Sequence, residues 1–491
     1  MKVLFIVVVL SVFFVPAVKA QGNEIHFNVE TTGGYTSPDH VPFWLRSNQF
    51  GSIPLDNASL SFIGNVRKDY NNKKQGIFDW GASIVGRANI GNKSNFTLVE
   101  GYGKLRIGIF ELRAGRTKEI IGLCDTSLSS GAFAVSGNAL GIPKVQIGIP
   151  EFYSLPFFDK LFAFKGTFAH GWVGETPVRM LNRTIVNLKT YLHQKTFYGR
   201  FGQPDWKWKL YGGFNHHAYW GSESKYYGDN YTLSDLQCYF YVITGKAYGT
   251  DAFSASKIGN QLGSIDLGFD YNFQNARLYG YHQFFYDIGA LYHLANLRDG
   301  LNGISLTNTR KDKNRTFIWK KVLLEFMYSK NQAGEFWSPV TPSGDENYYN
   351  NDQYIEGWSY QGIGSGTPFI CTSDATREGL PSNPRDYFIN NRVIALHFGF
   401  EGSLKNWNFV LKESFSLNYG TYGTGKEGHS IGLIHYPPLY GLFPERNQFS
   451  SYLETNKAFR NHTNFGIVGA FDVGDLYYNS YGLLIKFSKS F

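Results

Sequence analysis

The sequence predicts an all-β fold, a transmembrane antiparallel β-barrel carrying a small helical insertion or plug. Three observations predict it: a leader for export, strict apolar/polar alternation over long segments, and a closing amphipathic strand that ends in an aromatic residue.

The leader is MKVLFIVVVLSVFFVPAVKA, with Lys2 first, a dense apolar run next, and Val18 and Ala20 at the exit. A short basic start, an apolar centre and small residues at the cleavage site describe a signal peptide over residues 1–20. The run is shorter than the roughly 20 apolar residues of a spanning helix. The barrel is then expected over 21–491, a stretch in which no segment reads as a transmembrane helix. The chain holds 42 Phe, 33 Tyr, 10 Trp and 55 Gly, which suits many strands with one apolar face better than it suits helices. Cys124, Cys238 and Cys371 are odd in number and far apart, so they offer neither a disulfide framework nor a metal knuckle. The net charge of +8 is spread along the chain. It favours an acidic partner only weakly, and no nucleic-acid partner is expected.

Alternation sets the strands. In FDWGASIVGRANI (78–90), Phe78, Trp80, Ala82, Ile84, Ala88 and Ile90 share one face, with Asp79, Ser83, Arg87 and Asn89 on the other. WNFVLKESFSLNY (407–419) repeats the pattern, with Glu413 interrupting its apolar face. Soluble sandwich strands typically run nearer five or six residues. The chain ends YGLLIKFSKSF, placing Tyr481, Leu483, Ile485, Phe487 and Phe491 on one parity. A terminal aromatic strand of this kind resembles the signal read by barrel assembly machinery in the bacterial outer membrane, and it puts Phe491 on the periplasmic side. GQPD (202–205) and LKN (404–406) read as tight periplasmic turns, whereas 221–262 and 330–390 read as long outer loops. Within the first of these, a helical insertion is expected in SDLQCYFYVITGKAY, with Ser234 as its cap and Leu236, Tyr239, Phe240 and Ile243 at helical spacing. The pattern leaves open whether that helix lies on or inside the barrel.

A succession of motifs then carries a resemblance: AGRTKEIIGLCDTSLSSGAFAVSGNALGIPKVQIGIP (114–150), FKGTFAHGWVGE (164–175), YLHQKTFYGRFG (191–202) and GGFNHHAYWG (212–221). DHVPFWLRSNQFG (39–51), GNQLGSIDLGFDY (259–271) and LNYGTYG (417–423) join it. In this order they resemble the capsule assembly protein Wzi family, in its Bacteroidetes form, over nearly the whole mature chain. The resemblance implies an outer-membrane barrel of roughly 18 strands. It also implies a lectin that attaches capsular polysaccharide, expected to be anionic, to the cell surface. His217 departs from the glutamine of the family pattern.

Candidate ligand-binding residues follow from both readings. Parity puts His216, Ala218 and Trp220 on the lipid side and Asn215, His217 and Tyr219 inward. Adjacent His216 and His217 therefore cannot grip one metal, and no metal or other cofactor is expected. Trp220 is either part of the aromatic girdle or a sugar platform. His170, Trp172, His193 and Lys195 are expected on neighbouring strands, their polar groups meeting inside the barrel. There they either bind sugar hydroxyls and carboxylates or satisfy one another. The Gly- and Ser-rich stretch 114–144 carries Arg116, Lys118, Asp125 and Asn138, and either binds ligand or plugs the pore. Segment 341–369 is expected to expose Tyr348 and Trp358, with Tyr349, Tyr354 and Tyr360, for stacking on sugars. Its carboxylates are ordinary for an outer loop, and no GxSxG, HExxH or Walker-type element occurs, so no enzyme is expected. The expected protein is a monomer among outer-membrane lipids. A porin-like channel and, more weakly, a surface glycan hydrolase are the alternatives.

Overall fold

The computed structural model describes residues 25–491 apart from 38–39, 56, 72–75, 92–93, 250–255, 288–292, 311–314, 335–343, 427–428 and 432–433. The leader therefore lies outside the described residues. Eighteen long strands form one closed antiparallel sheet. The first nine are β1 (Ile25–Thr36), β2 (Ala58–Lys68), β3 (Phe78–Ile90), β4 (Asn95–Ile107), β5 (Phe110–Arg116), β6 (Lys144–Ser154), β7 (Phe162–Arg179), β8 (Ile185–Phe201) and β9 (Trp208–Trp220). The rest are β10 (Asn260–Asn272), β11 (Ala276–Tyr286), β12 (Gly300–Asn308), β13 (Phe317–Tyr328), β14 (Val393–Leu404), β15 (Trp407–Asn418), β16 (Arg446–Ala458), β17 (Thr463–Gly474) and β18 (Ser480–Ser490). Each strand pairs with its neighbours in the chain, and β18 closes on β1 from Asn28↔Ser490 to Thr36↔Gly482. Phe491 extends the seam, its N–H donating to the Phe27 carbonyl at 2.9 Å.

The two ends differ. One carries short turns, among them 202–207 and 405–406, together with the chain end. The other carries the long connections 117–143, 221–259 and 329–392. Alternation fixes the faces of the wall. On β3, Phe78, Trp80, Ile84 and Ile90 are exposed outward, while Asp79, Ser83, Arg87 and Asn89 are buried inward. Glu413, on the outward side of β15, accepts a hydrogen bond from Ser451 Oγ at 3.0 Å.

The lumen is filled from the loop end. Helix α1 (Phe43–Arg46) enters it, with the Phe43 N–H donating to Asp472 at 2.7 Å and Trp44 Nε1 donating to Ser414 Oγ at 3.1 Å. Segment 117–143 docks on the wall through its backbone. The Leu123 N–H donates to Asp266 at 2.8 Å, Ser130 N–H to Glu325 at 2.6 Å, and Leu128 carbonyl meets His397 Nε2 at 2.7 Å. Carboxylates this deep are tolerable because each is bonded.

Segment 344–369 packs against that plug, which corrects the expectation of an exposed aromatic loop. Tyr348, Tyr349, Tyr354 and Trp358 are buried to 2% exposure or less. Phe133 stacks on Phe285 at 4.2 Å, and the Tyr348 and Tyr349 rings surround it. Aromatic faces that could serve sugars are here used as core.

Residues 221–259 hold helices α2 (Glu223–Tyr227) and α3 (Asp235–Thr244). Ser234 caps α3, its hydroxyl accepting from the Gln237 N–H while the Gln237 side chain reciprocates. This helix lies outside the barrel, against the outward faces of β7–β9.

Candidate functional site

Among the described residues, the plug leaves space along one flank. A cavity of about 190 Å³ lies inside the wall formed by β1–β4 and β16–β18. Pleating delivers its lining: Glu30 of β1 sits opposite Ile63 of β2, which sits opposite Arg87 of β3, and Thr32 of β1 sits opposite Lys486 of β18. Gln49, Phe50 and Ser52 close it from the loop after β1, and Lys118 reaches in from the plug. Apolar groups (Ile63, Val85, Val99, Val468 and Leu484) are interspersed with charged ones (Glu30, Arg87, Lys118 and Lys486) around it. At about 190 Å³ it falls below the roughly 300–1,000 Å³ of a drug-sized site. It has room for one sugar-sized group and a polar edge to orient it.

The charges around it are held by the wall itself. The Arg87 guanidinium donates to Asn89 Oδ1 and Ser61 Oγ, each at 3.0 Å, and Lys486 pairs with Glu454 at 3.1 Å. At the rim, Lys118 is exposed and its ammonium stands 5.6 Å from the Phe50 ring centre. Arg116 is half-buried, 5.9 Å from the Tyr360 ring centre, and donates to Tyr360 OH at 3.2 Å. Cations beside aromatic faces at a concave mouth can bind a carboxylate and stack a pyranose.

The remaining candidates divide into three groups. Asp125 and Asn138 shape the plug. Asp125 accepts from the N–H groups of Ser127 and Leu128 and pairs with Lys321 at 2.9 Å. Burial pushes its carboxyl up, but Lys321 and those N–H groups outweigh it and hold it below the ordinary range. Asn138 accepts from the Asn48 N–H and donates to the Gly364 carbonyl, tying three segments together.

His217, Trp358 and Tyr348 are core. His217 faces inward, fully buried, with Nε2 3.2 Å from Asn215 Oδ1. Trp358 stacks on Tyr219 at 4.3 Å and donates to the Ala134 carbonyl. Tyr348 donates to Asp299 at 2.7 Å. The cavity beside His217 and Trp358 is about 40 Å³, enough for water and not for a sugar.

His170, Trp172, His193 and Lys195 correct the expectation of a meeting inside the lumen, whereas Trp220 lies on the outward face where parity placed it. The register pairs His170 with His193 and His193 with Ala218, so His170, His193 and Lys195 share the outward parity. Nothing in a single strand reveals this, because YLHQKTF alternates weakly and only its pairing partners fix its faces. Residues not singled out from sequence are Glu30, Arg87, Lys486 and Phe50. Arg87 and Lys486 were recognisable as inward by parity, but the hollow they face depends on where the plug ends.

No protein-family profile and no curated protein sequence matches the chain. Among solved structures it is similar to Wzi of Escherichia coli, described as an outer-membrane protein involved in group 1 capsule assembly and a carbohydrate-binding β-barrel. That similarity has a TM-score of 0.51 at 12% identity and covers 94% of this chain and 83% of that one. OprD of Pseudomonas aeruginosa matches at TM-score 0.44 and 10% identity, covering 95% of each chain. OccK5 of the same organism matches at 0.45 and 9%, covering 95% and 98%. The fold is that of an outer-membrane β-barrel.

Proposed function

We propose that this barrel is a non-enzymatic outer-membrane lectin that holds anionic capsular polysaccharide at the cell surface, with its loop end facing outward. The observation that carries this reading is the rim of the hollow flank. There the exposed Lys118 stands over Phe50 at a cavity lined by both apolar and charged side chains, and Arg116, two residues before it, stands over Tyr360. A uronic carboxylate would meet the cations while a ring face lies on apolar surface. The carbohydrate binding attributed to the Escherichia coli neighbour is consistent with it. The filled lumen speaks against a wide channel.

The test is titration of the purified barrel with acidic capsular oligosaccharide. A charge-assisted hydrogen bond contributes about 1.5–3 kcal/mol, so Lys118→Ala should weaken binding about tenfold or more without lowering the melting temperature. On cells the loss is smaller, because repeating units bind multivalently. Wild-type affinity in Lys118→Ala and Arg116→Ala together would sink the site. Large steady currents in planar bilayers would favour a channel, and release of new reducing ends a hydrolase.

A further inference from the structure

The outward wall of β7–β10 is not uniformly apolar. Its register is set by pairing, which allows it to be read in levels. One level holds Phe197, Phe214 and Ile265, all exposed and apolar. The next two, toward the loop end, hold Phe168, Lys195, His216 and Gly263, then His170, His193, Ala218 and Gln261. Above them Trp172, Tyr191 and Trp220 form an aromatic level. Lys195, His170, His193, His216 and Gln261 thus form a polar patch that interrupts the outward band, where charged groups facing lipid are destabilising.

Helix α3 lies over those levels. The Tyr239 ring contacts the rings of His170, His193 and Trp220 at 5.7, 5.8 and 5.1 Å. Cys238 and Val242 pack with Ala218 and Ile258. The Lys195 ammonium donates to the Ile243 carbonyl in the last turn of the helix, a carbonyl with no partner further along the helix. Beneath this cover His193 is fully buried and His216 nearly so, with Nε2 bonded to Gln261.

The far side of α3 is apolar as well. Leu236 and Phe240, one turn apart, are 80% and 59% exposed. A helix apolar on both faces is not matched to water on either. We infer that α3 is seated in the lipid of the outer leaflet: Leu236 and Phe240 contact acyl chains and carry the lipid-facing band of Phe197, Phe214 and Ile265 across the polar patch. The occupant is membrane lipid because the exposed face continues an apolar surface that already faces lipid. This inference rests on the barrel fold and not on the polysaccharide reading.

Spin labels at Leu236→Cys and Phe240→Cys, in the full-length barrel in phospholipid vesicles, test it. Both labels should be relaxed more by oxygen than by an aqueous nickel chelate, and a label at Asp235→Cys more by the chelate. Chelate dominance at 236 and 240 would overturn the inference. A second measurement uses Leu236→Glu/Phe240→Glu, checked for an intact heat-modifiable barrel. The charged pair should lift α3, and His193 and His216 should become reactive to an imidazole-modifying reagent. Unchanged protection in the folded variant would mean that the outer face meets water, against the inference.

Discussion

The two flanks of the lumen solve the same problem differently. On β10–β14 the wall aims Asp266, Glu325 and His397 at backbone groups of the plug, and segment 117–143 is drawn against it. On β1–β4 and β16–β18, Arg87 bonds to Asn89 and Ser61 and Lys486 to Glu454 within the wall, while Asp472 and Glu100 accept single N–H groups from Phe43 and Lys118. Around Arg87 and Lys486, where the charges are bonded within the wall, no backbone is drawn against them, and space remains. The difference teaches that in a filled barrel the open region is decided by where wall polar groups point.

The sharpest way to break the comparison is to loosen the packed flank. Phe133→Ala removes a fully buried ring stacked on Phe285 and should cost about 3–5 kcal/mol. The heat-modifiable form should melt lower, and ion leakage through planar bilayers should rise. An unchanged melting curve would mean that the plug is held elsewhere.

Filling the hollow flank should act on binding alone. Val85→Trp projects into the cavity, so oligosaccharide affinity should fall about tenfold, roughly 1.4 kcal/mol, while stability changes little. Undiminished affinity would place the ligand on the rim and not in the hollow.

Acidity should tighten the packed side. Burial raises the Asp299 carboxyl to about 6, against the hydrogen bonds it receives from Tyr348 and the N–H groups of Gln332 and Asn331. The folded state thus holds the proton more tightly than the unfolded one. Stability from this group is complete below about pH 4, declines as the pH rises to about 6, and is flat above. Asp125, shifted downward, loses its contribution only at still lower pH. Cleavage of segment 344–392 by a pH-tolerant protease should be slower at pH 5.5 than at pH 7.5, an effect of about 1 kcal/mol. The reverse order would contradict the assignment.

The smallest effect is expected at His217. His217→Gln keeps a polar partner for Asn215 and should leave oligosaccharide affinity unchanged. A tenfold loss would return this residue to the binding site.

Much of the barrel was legible locally. Phe78 to Ile90 alternate, apart from the inward Val85, because a pleated strand between lipid and lumen must, and the turn at 202–205 and the closing strand at Phe491 mark the same end. The helix cap at Ser234 was legible for the same reason: a cap is a contact within three residues. The candidate site was legible only in part. Lys118 lies at the hollow, whereas Tyr348, Trp358 and His217 became core and His193 and Lys195 turned outward.

The sequence by itself determined strand faces, the tight turns and the amphipathic close of the chain, since each depends on neighbours a few residues apart. Only the tertiary structure decided that α3 covers the outer wall, that the Tyr-rich segment packs on Phe133, and that one flank stays hollow. Those outcomes depend on contacts such as Lys195 with Ile243, Trp358 with Ala134 and Ser130 with Glu325. Such partners lie far apart in the chain, and burial is a property of what arrives from elsewhere, which no local pattern encodes.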